Sequence, residues 1–89
     1  MTRHPLPIIN KLGLHARAAS KLVATASQYQ ADITLVRGDQ EVSAKSIMGV
    51  MMLGASRGTE LELVTDGPDE ADAAEAIREL VADYFGEGE

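Results

Sequence analysis

His15 and Arg17 are the residues whose types and spacing point to chemistry. They stand in Asn10-Lys11-Leu12-Gly13-Leu14-His15-Ala16-Arg17-Ala18-Ala19-Ser20, where a short apolar segment ends, a glycine breaks the chain and a helical pattern begins. The first N–H groups of a helix have no partner inside it and carry a partial positive charge, so they attract an anion. A neutral imidazole placed there has a lone pair with which to take up a phosphoryl group, and a nearby arginine can hold the phosphate oxygens. The plainer reading is that His15 caps a helix and Arg17 is a solvated charge. The stretch by itself leaves both open.

The elements around this stretch follow from local pattern. His4 to Ile9 reads as a first strand, and Pro5 and Pro7, lacking N–H donors, place its start at a sheet edge or outside the ladder. From Ala16 to about Gln28 the apolar residues Ala19, Leu22, Val23 and Ala26 recur at helical spacing. Ile33-Thr34-Leu35-Val36 and Glu41-Val42-Ser43-Ala44 flank Gly38-Asp39, which is hairpin chemistry and predicts antiparallel neighbours. Glu60-Leu61-Glu62-Leu63 alternates as a strand with one wet face does. Ala73, Ile77, Leu80, Val81 and Tyr84 predict a final amphipathic helix, with Asp69, Glu70 and Asp72 in its first turn. Gly86-Glu87-Gly88-Glu89 reads as a frayed tail. The order β-α-β-β-α-β-α, with a tight hairpin, predicts an α+β domain: a mostly antiparallel sheet with helices on one face, formed by residues 1–89 as a single unit.

A second candidate lies between these elements. Ser46 precedes Ile47-Met48-Gly49-Val50-Met51-Met52-Leu53 and Gly54 follows, which frames a helix of about two turns. Ser46 serves as its N-cap, and phosphorylation there would add roughly −2 of charge. The helix is apolar on nearly every side. Ile47, Val50 and Met51 match one face, and Met48 and Met52 fall elsewhere. It is either a wedged core helix or a patch for partners, a use that suits flexible methionines.

Composition narrows the rest. The chain of 89 residues has no cysteine, so disulfides and thiolate metal sites are excluded. There is no phosphate-binding glycine loop and no carboxylate cluster with metal spacing, so no metal or cofactor is expected. Residues 1–58 carry seven Lys and Arg against three carboxylates, whereas residues 59–89 carry one against eleven. That asymmetry suggests a basic face for an acidic partner. The net charge of −6 and the scarcity of aromatics argue against nucleic-acid binding. No apolar run reaches membrane-spanning length and the opening segment is too interrupted for a signal peptide, so a cytoplasmic protein without membrane insertion is expected.

These stretches resemble a family, the histidine-containing phosphocarriers (HPr) of the phosphoenolpyruvate-dependent sugar phosphotransferase system. The resemblance runs nearly end to end and rests on Asn10 to Arg17 and on Lys45 to Leu53, two motifs at the right separation. It implies an open-faced β-sandwich, a four-stranded antiparallel sheet covered on one side by three helices. It implies a monomeric carrier with no independent catalysis. His15 would accept a phosphoryl group on Nδ1 from enzyme I and pass it to a histidine of IIA-type proteins or domains. Arg17 and the N–H groups of Ala16 and Arg17 would hold the phosphate. Ser46 would be the target of an HPr kinase/phosphorylase, and Ile47, Met48 and Met51, with Ser20 at the rim, would form the docking patch. Many members have proline where this chain has Ala18, a good helix former in its own right. Two further readings stay open: a nitrogen-branch or regulatory paralogue, and a small ligand-binding module without phosphotransfer. His15 counts against carriers that have lost the reaction, and the His-Ala-Arg at the helix mouth counts against the module.

Overall fold

The structure, a computed structural model, describes residues 1–88. Its elements are β1 (Thr2–Pro7), α1 (Ala16–Ala26), β2 (Asp32–Arg37), β3 (Gln40–Ser43), α2 (Ile47–Met52), β4 (Glu60–Asp66) and α3 (Glu70–Ala82), followed by one 3₁₀ turn at Tyr84–Gly86. The strands form one antiparallel sheet in the order β1-β4-β2-β3. The edge position of the first strand and the antiparallel pairing of the hairpin both hold. The proline-bearing β1 is an edge strand, where missing donors do least harm to the ladder. Strands β2 and β3 close a hairpin through Gly38-Asp39, with Arg37 opposite Gln40 and Gly38 at a positive φ of 57°. What the hairpin and the alternation do not specify is that β4 inserts between β1 and β2.

One face of this sheet is dry. Leu6 of β1, Ile33 and Leu35 of β2, and Leu61, Leu63 and Thr65 of β4 are buried, and their neighbours along each strand are not. The helices cover that face with small and aliphatic side chains. Helix α1 contributes Ala18, Ala19, Leu22 and Ala26, and α3 contributes Ala73, Ala74, Ile77 and Val81. Alanines on these faces let the helices approach the sheet closely, which suits a chain with little material for a core. Asp69 ties the layers together. Its carboxylate accepts the backbone N–H groups of Gln30 (2.9 Å) and Ala31 (2.8 Å), and the Gln30 N–H above all holds that carboxyl below the usual range.

Two expectations are corrected. The final helix ends at Ala82, so Tyr84 lies beyond it and is 37 % exposed. The tail is not frayed at Gly86 and Glu87, while Glu89 lies outside the described residues. Tyr84 and Phe85 adopt left-handed backbone conformations (φ 55° and 54°), which turn the chain back and bury Phe85 to 1 % exposure. A left-handed residue with a side chain costs ~1–2 kcal/mol. Burying a phenylalanine returns ~1.5–3 kcal/mol. Hydrogen bonds from Gly86 N–H to Asp83 O, from Glu87 N–H to Tyr84 O and from Lys21 Nζ to Phe85 O add to that side of the balance.

Candidate functional site

The segment before α1 is pinned on its far side by the segment after α2. Leu14 N–H donates to Ala55 O (2.9 Å), and Gly13 N–H turns back to Asn10 O (3.2 Å). Gly13 has a φ of 67°, and a Cβ there would stand 2.5 Å from Ala55 O and 2.8 Å from Ser56 Cα. Only glycine fits such a crossing. It brings the mouth of α1 beside the C-terminal end of α2, joining two motifs that lie some thirty residues apart in the sequence.

His15 is the N-cap residue of α1. Its carbonyl accepts the N–H of Ala19 (2.8 Å), and its side chain makes no capping hydrogen bond. The plainer reading of this histidine therefore describes its backbone and not its ring. The ring faces Glu87: Nε2 lies 2.7 Å from Glu87 Oε2, with the two side chains 27 % and 13 % exposed. Asn10, fully buried, donates from Nδ2 to Gly13 O (2.8 Å) and to Glu87 Oε1 (3.3 Å). Both contacts require a donor, so they fix which way the amide points. Among the described residues, Asn10 Oδ1 and His15 Nδ1 have no hydrogen-bond partner.

Arg17, on the first turn of α1, is exposed and makes no ion pair among the described residues. With Lys11, Leu12, Lys21, Gly86 and Glu87 it lines a depression of about 440 Å³. Three cations and one carboxylate thus meet where the first N–H groups of α1 point outward, an arrangement that can receive a multiply charged anion. Ala16 is exposed at the helix start. Ser20 is exposed one turn further along.

Ser46 caps α2 as its position predicts, its Oγ accepting the Gly49 N–H at 3.1 Å. Helix α2 is not a wedged core helix. Only Val50 is buried in the helix, with Leu53 beyond its end, whereas Ile47 (40 %), Met48 (69 %), Met51 (45 %) and Met52 (69 %) stay exposed. The face that periodicity grouped as Ile47, Val50 and Met51 is therefore split, because a two-turn helix laid on a small core buries a single narrow line. Leu12, 66 % exposed, also belongs to the apolar surface.

Sequence reasoning missed Glu87, Asn10 and Lys21. One signal was available: the chain's one phenylalanine, Phe85, lies beyond the last helix, where an apolar aromatic needs somewhere to be buried. No signal paired Glu87 with His15, 72 residues away. Among the described residues no group of His, Cys, Asp and Glu could hold a metal ion, and no helix is long and apolar enough to cross a membrane.

The chain's relatives share this architecture. The family described as "PTS HPr component phosphorylation site" matches residues 3–83. The phosphocarrier protein HPr of Neisseria meningitidis serogroup A is 53 % identical over 89 residues, covering all of both chains. That of Cupriavidus necator is 51 % identical over the same length, again covering all of both. Among solved structures, HPr-C-His from Thermoanaerobacter tengcongensis superposes with a TM-score of 0.95 at 42 % identity, covering 98 % of each chain. A full-length match in sequence, fold and element order means that this chain belongs to the HPr family, the phosphocarriers of the phosphotransferase system.

Proposed function

We propose that His15 is the phosphoryl acceptor of this carrier, taking the group on Nδ1 from phosphorylated enzyme I and passing it to a histidine of IIA-type proteins or domains. The observation that carries this reading is the imidazole at the mouth of α1, with Nε2 engaged by Glu87 and Nδ1 without a partner among the described residues. An acceptor nitrogen needs an accessible lone pair, and a transferable phosphoryl group needs cations close by that do not bury it. The whole chain acts as one HPr domain that carries both the acceptor and the apolar patch, so it needs no second copy to complete the site. The test uses the purified protein with enzyme I, Mg²⁺ and phosphoenolpyruvate, read by intact mass and phosphorus NMR. One phosphoryl group that is lost in acid is expected. An acid-stable label would point to serine and refute the assignment.

Arg17, with the N–H groups of Ala16 and Arg17, steadies the phosphoryl group in flight. Replacing Arg17 with alanine is expected to slow transfer roughly a hundredfold to a thousandfold, the scale of losing one electrostatic stabiliser. The affinity for enzyme I should change much less. Rapid-quench kinetics at saturating enzyme I, paired with calorimetry, separate the two effects. An unchanged rate at saturation would remove Arg17 from the reaction.

Ser46 is the regulatory site, addressed by an HPr kinase/phosphorylase, and the surface it guards is the docking patch of Ile47, Met48 and Met51, with Ser20 at its rim. The support is position: Ser46 caps the helix whose apolar side chains are exposed, so charge added there changes the field over the patch. Lys45 offsets it only in part: it carries a single charge against roughly two, and its Nζ is held at Tyr29 O, 2.7 Å away. Ser46→Asp is expected to weaken binding to enzyme I severalfold at low salt, with the difference shrinking as salt is raised. Equal affinities at low salt would contradict this electrostatic role.

A further inference from the structure

We infer that Glu87 is a positioning residue for phosphoryl transfer: it holds the proton on Nε2 of His15, which directs the Nδ1 lone pair to phosphorus and stabilises the cationic ring formed when the group arrives. The inference rests on the reading of His15 as the acceptor and adds a residue to that site.

The geometry has three parts. Glu87 Oε2 is 2.7 Å from Nε2, the short distance of a charge-assisted hydrogen bond. A carboxylate only accepts, so the shared proton belongs to the ring, and in the neutral imidazole a proton on Nε2 leaves Nδ1 as the lone pair. Glu87 is itself held. Its other oxygen receives Asn10 Nδ2 at 3.3 Å, and that buried amide is fixed by its second bond to Gly13 O. The segment carrying Glu87 is anchored by the buried Phe85 ring and by the 2.6 Å bond from Lys21 Nζ to Phe85 O. A tail with no role at His15 would not need a buried amide directed at its carboxylate.

The chemistry balances without any further reagent. The Nδ1 lone pair forms a bond to phosphorus as the bond between phosphorus and the donor protein breaks, and that electron pair leaves with the donor. The ring becomes cationic with its proton still on Nε2, facing the Glu87 carboxylate. Transfer onward reverses each change: the Nδ1–P bond breaks, the pair returns to Nδ1 and the charge on the ring is lost. A carboxylate that orients an imidazole and stabilises its cation is the same device as the acidic member of a hydrolase triad, and there too the proton stays on the ring. Glu87 sits on the Nε2 side, so it opposes the incoming phosphate less than it stabilises the ring between them.

The experiment compares wild type, Glu87→Gln and Glu87→Ala. Phosphorylation is followed by rapid quench with saturating phosphorylated enzyme I. Nitrogen-15 NMR of the unphosphorylated proteins reports which ring nitrogen carries the proton. Glu87→Ala is expected to be at least roughly ten- to hundredfold slower, the scale for losing a partner that orients a metal-binding histidine. Glu87→Gln keeps the shape and an accepting oxygen but not the charge. It should retain the Nε2–H form and fall between the other two in rate, and it carries the test if the alanine variant loosens the tail. In wild type the proton should be found on Nε2, and in Glu87→Ala that preference should weaken. A Glu87→Ala rate equal to or above wild type, or a wild-type phosphoryl group on Nε2, would overturn the inference while leaving His15 as the acceptor. A wild-type chain that takes up no phosphoryl group would instead overturn the reading of His15 on which it rests.

Discussion

His15→Ala is expected to abolish phosphoryl acceptance and to leave the fold in place. The nucleophile is the one group in the reaction for which nothing else in the chain can substitute. The other histidine, His4, lies in edge strand β1 opposite Leu63, on a different element from the helix mouth. Loss of a nucleophile costs far more than loss of a group that assists it, so a decrease of at least ~10³-fold is expected. Stability should change little. The ring is 27 % exposed, and its hydrogen bond is to a carboxylate that also has Asn10 as a partner. Intact mass after incubation with enzyme I and phosphoenolpyruvate checks the first half, and a thermal melt followed by circular dichroism checks the second. Transfer that persists would move the acceptor elsewhere. A variant that fails to melt cooperatively would give His15 a structural role that its exposure does not suggest.

Phe85→Ala should produce the largest loss of stability among substitutions close to the site. Phe85 is 1 % exposed, and truncating a buried phenylalanine typically costs ~3–5 kcal/mol. Domains of this size unfold with only ~5–15 kcal/mol in hand. At ~4–8 °C per kcal/mol, the melting temperature should fall by more than ten degrees. The loss has a second consequence. Burial of Phe85 is what offsets the left-handed backbone at Tyr84 and Phe85, so without it the turn has little reason to persist. Glu87 and the acceptor of Lys21 Nζ would then leave the site together. Phe85→Leu should recover most of the stability, because it still fills the position. Equal melting temperatures for Phe85→Ala and wild type would show that the tail contributes nothing to the core.

Much of this molecule is legible in the sequence because it is made by neighbours. The hairpin follows from Gly38-Asp39 between two β-rich runs, and the start of α2 follows from Ser46 three residues ahead of the N–H it caps. The place of His15 at a helix mouth follows from Gly13 behind it and helical spacing ahead of it. Each depends on interactions spanning a few residues, and those are what residue type and spacing encode.

What periodicity could not decide is which side of an all-apolar helix faces the core. Every side chain of α2 except Gly49 is apolar, so pattern alone offers no preference. The sheet and α1 leave room for Val50 and Leu53, and the methionines are left outside. The tail is the clearer case. Two glycines and two glutamates in its last four residues look like a chain with no reason to be ordered. The turn that docks it is made by Tyr84 and Phe85, residues that seldom adopt that backbone and give no local sign of it. It forms because the assembled core leaves a site for one phenylalanine, and that site exists only once α1 and α3 have come together. Residue types and local spacing therefore determined that a histidine stands at the mouth of α1, the helix that follows it and the order of the strands along the chain. Only the tertiary structure decided that a carboxylate 72 residues away would stand against its ring, because that contact is set by the shape of the packed core and not by any neighbour in the chain.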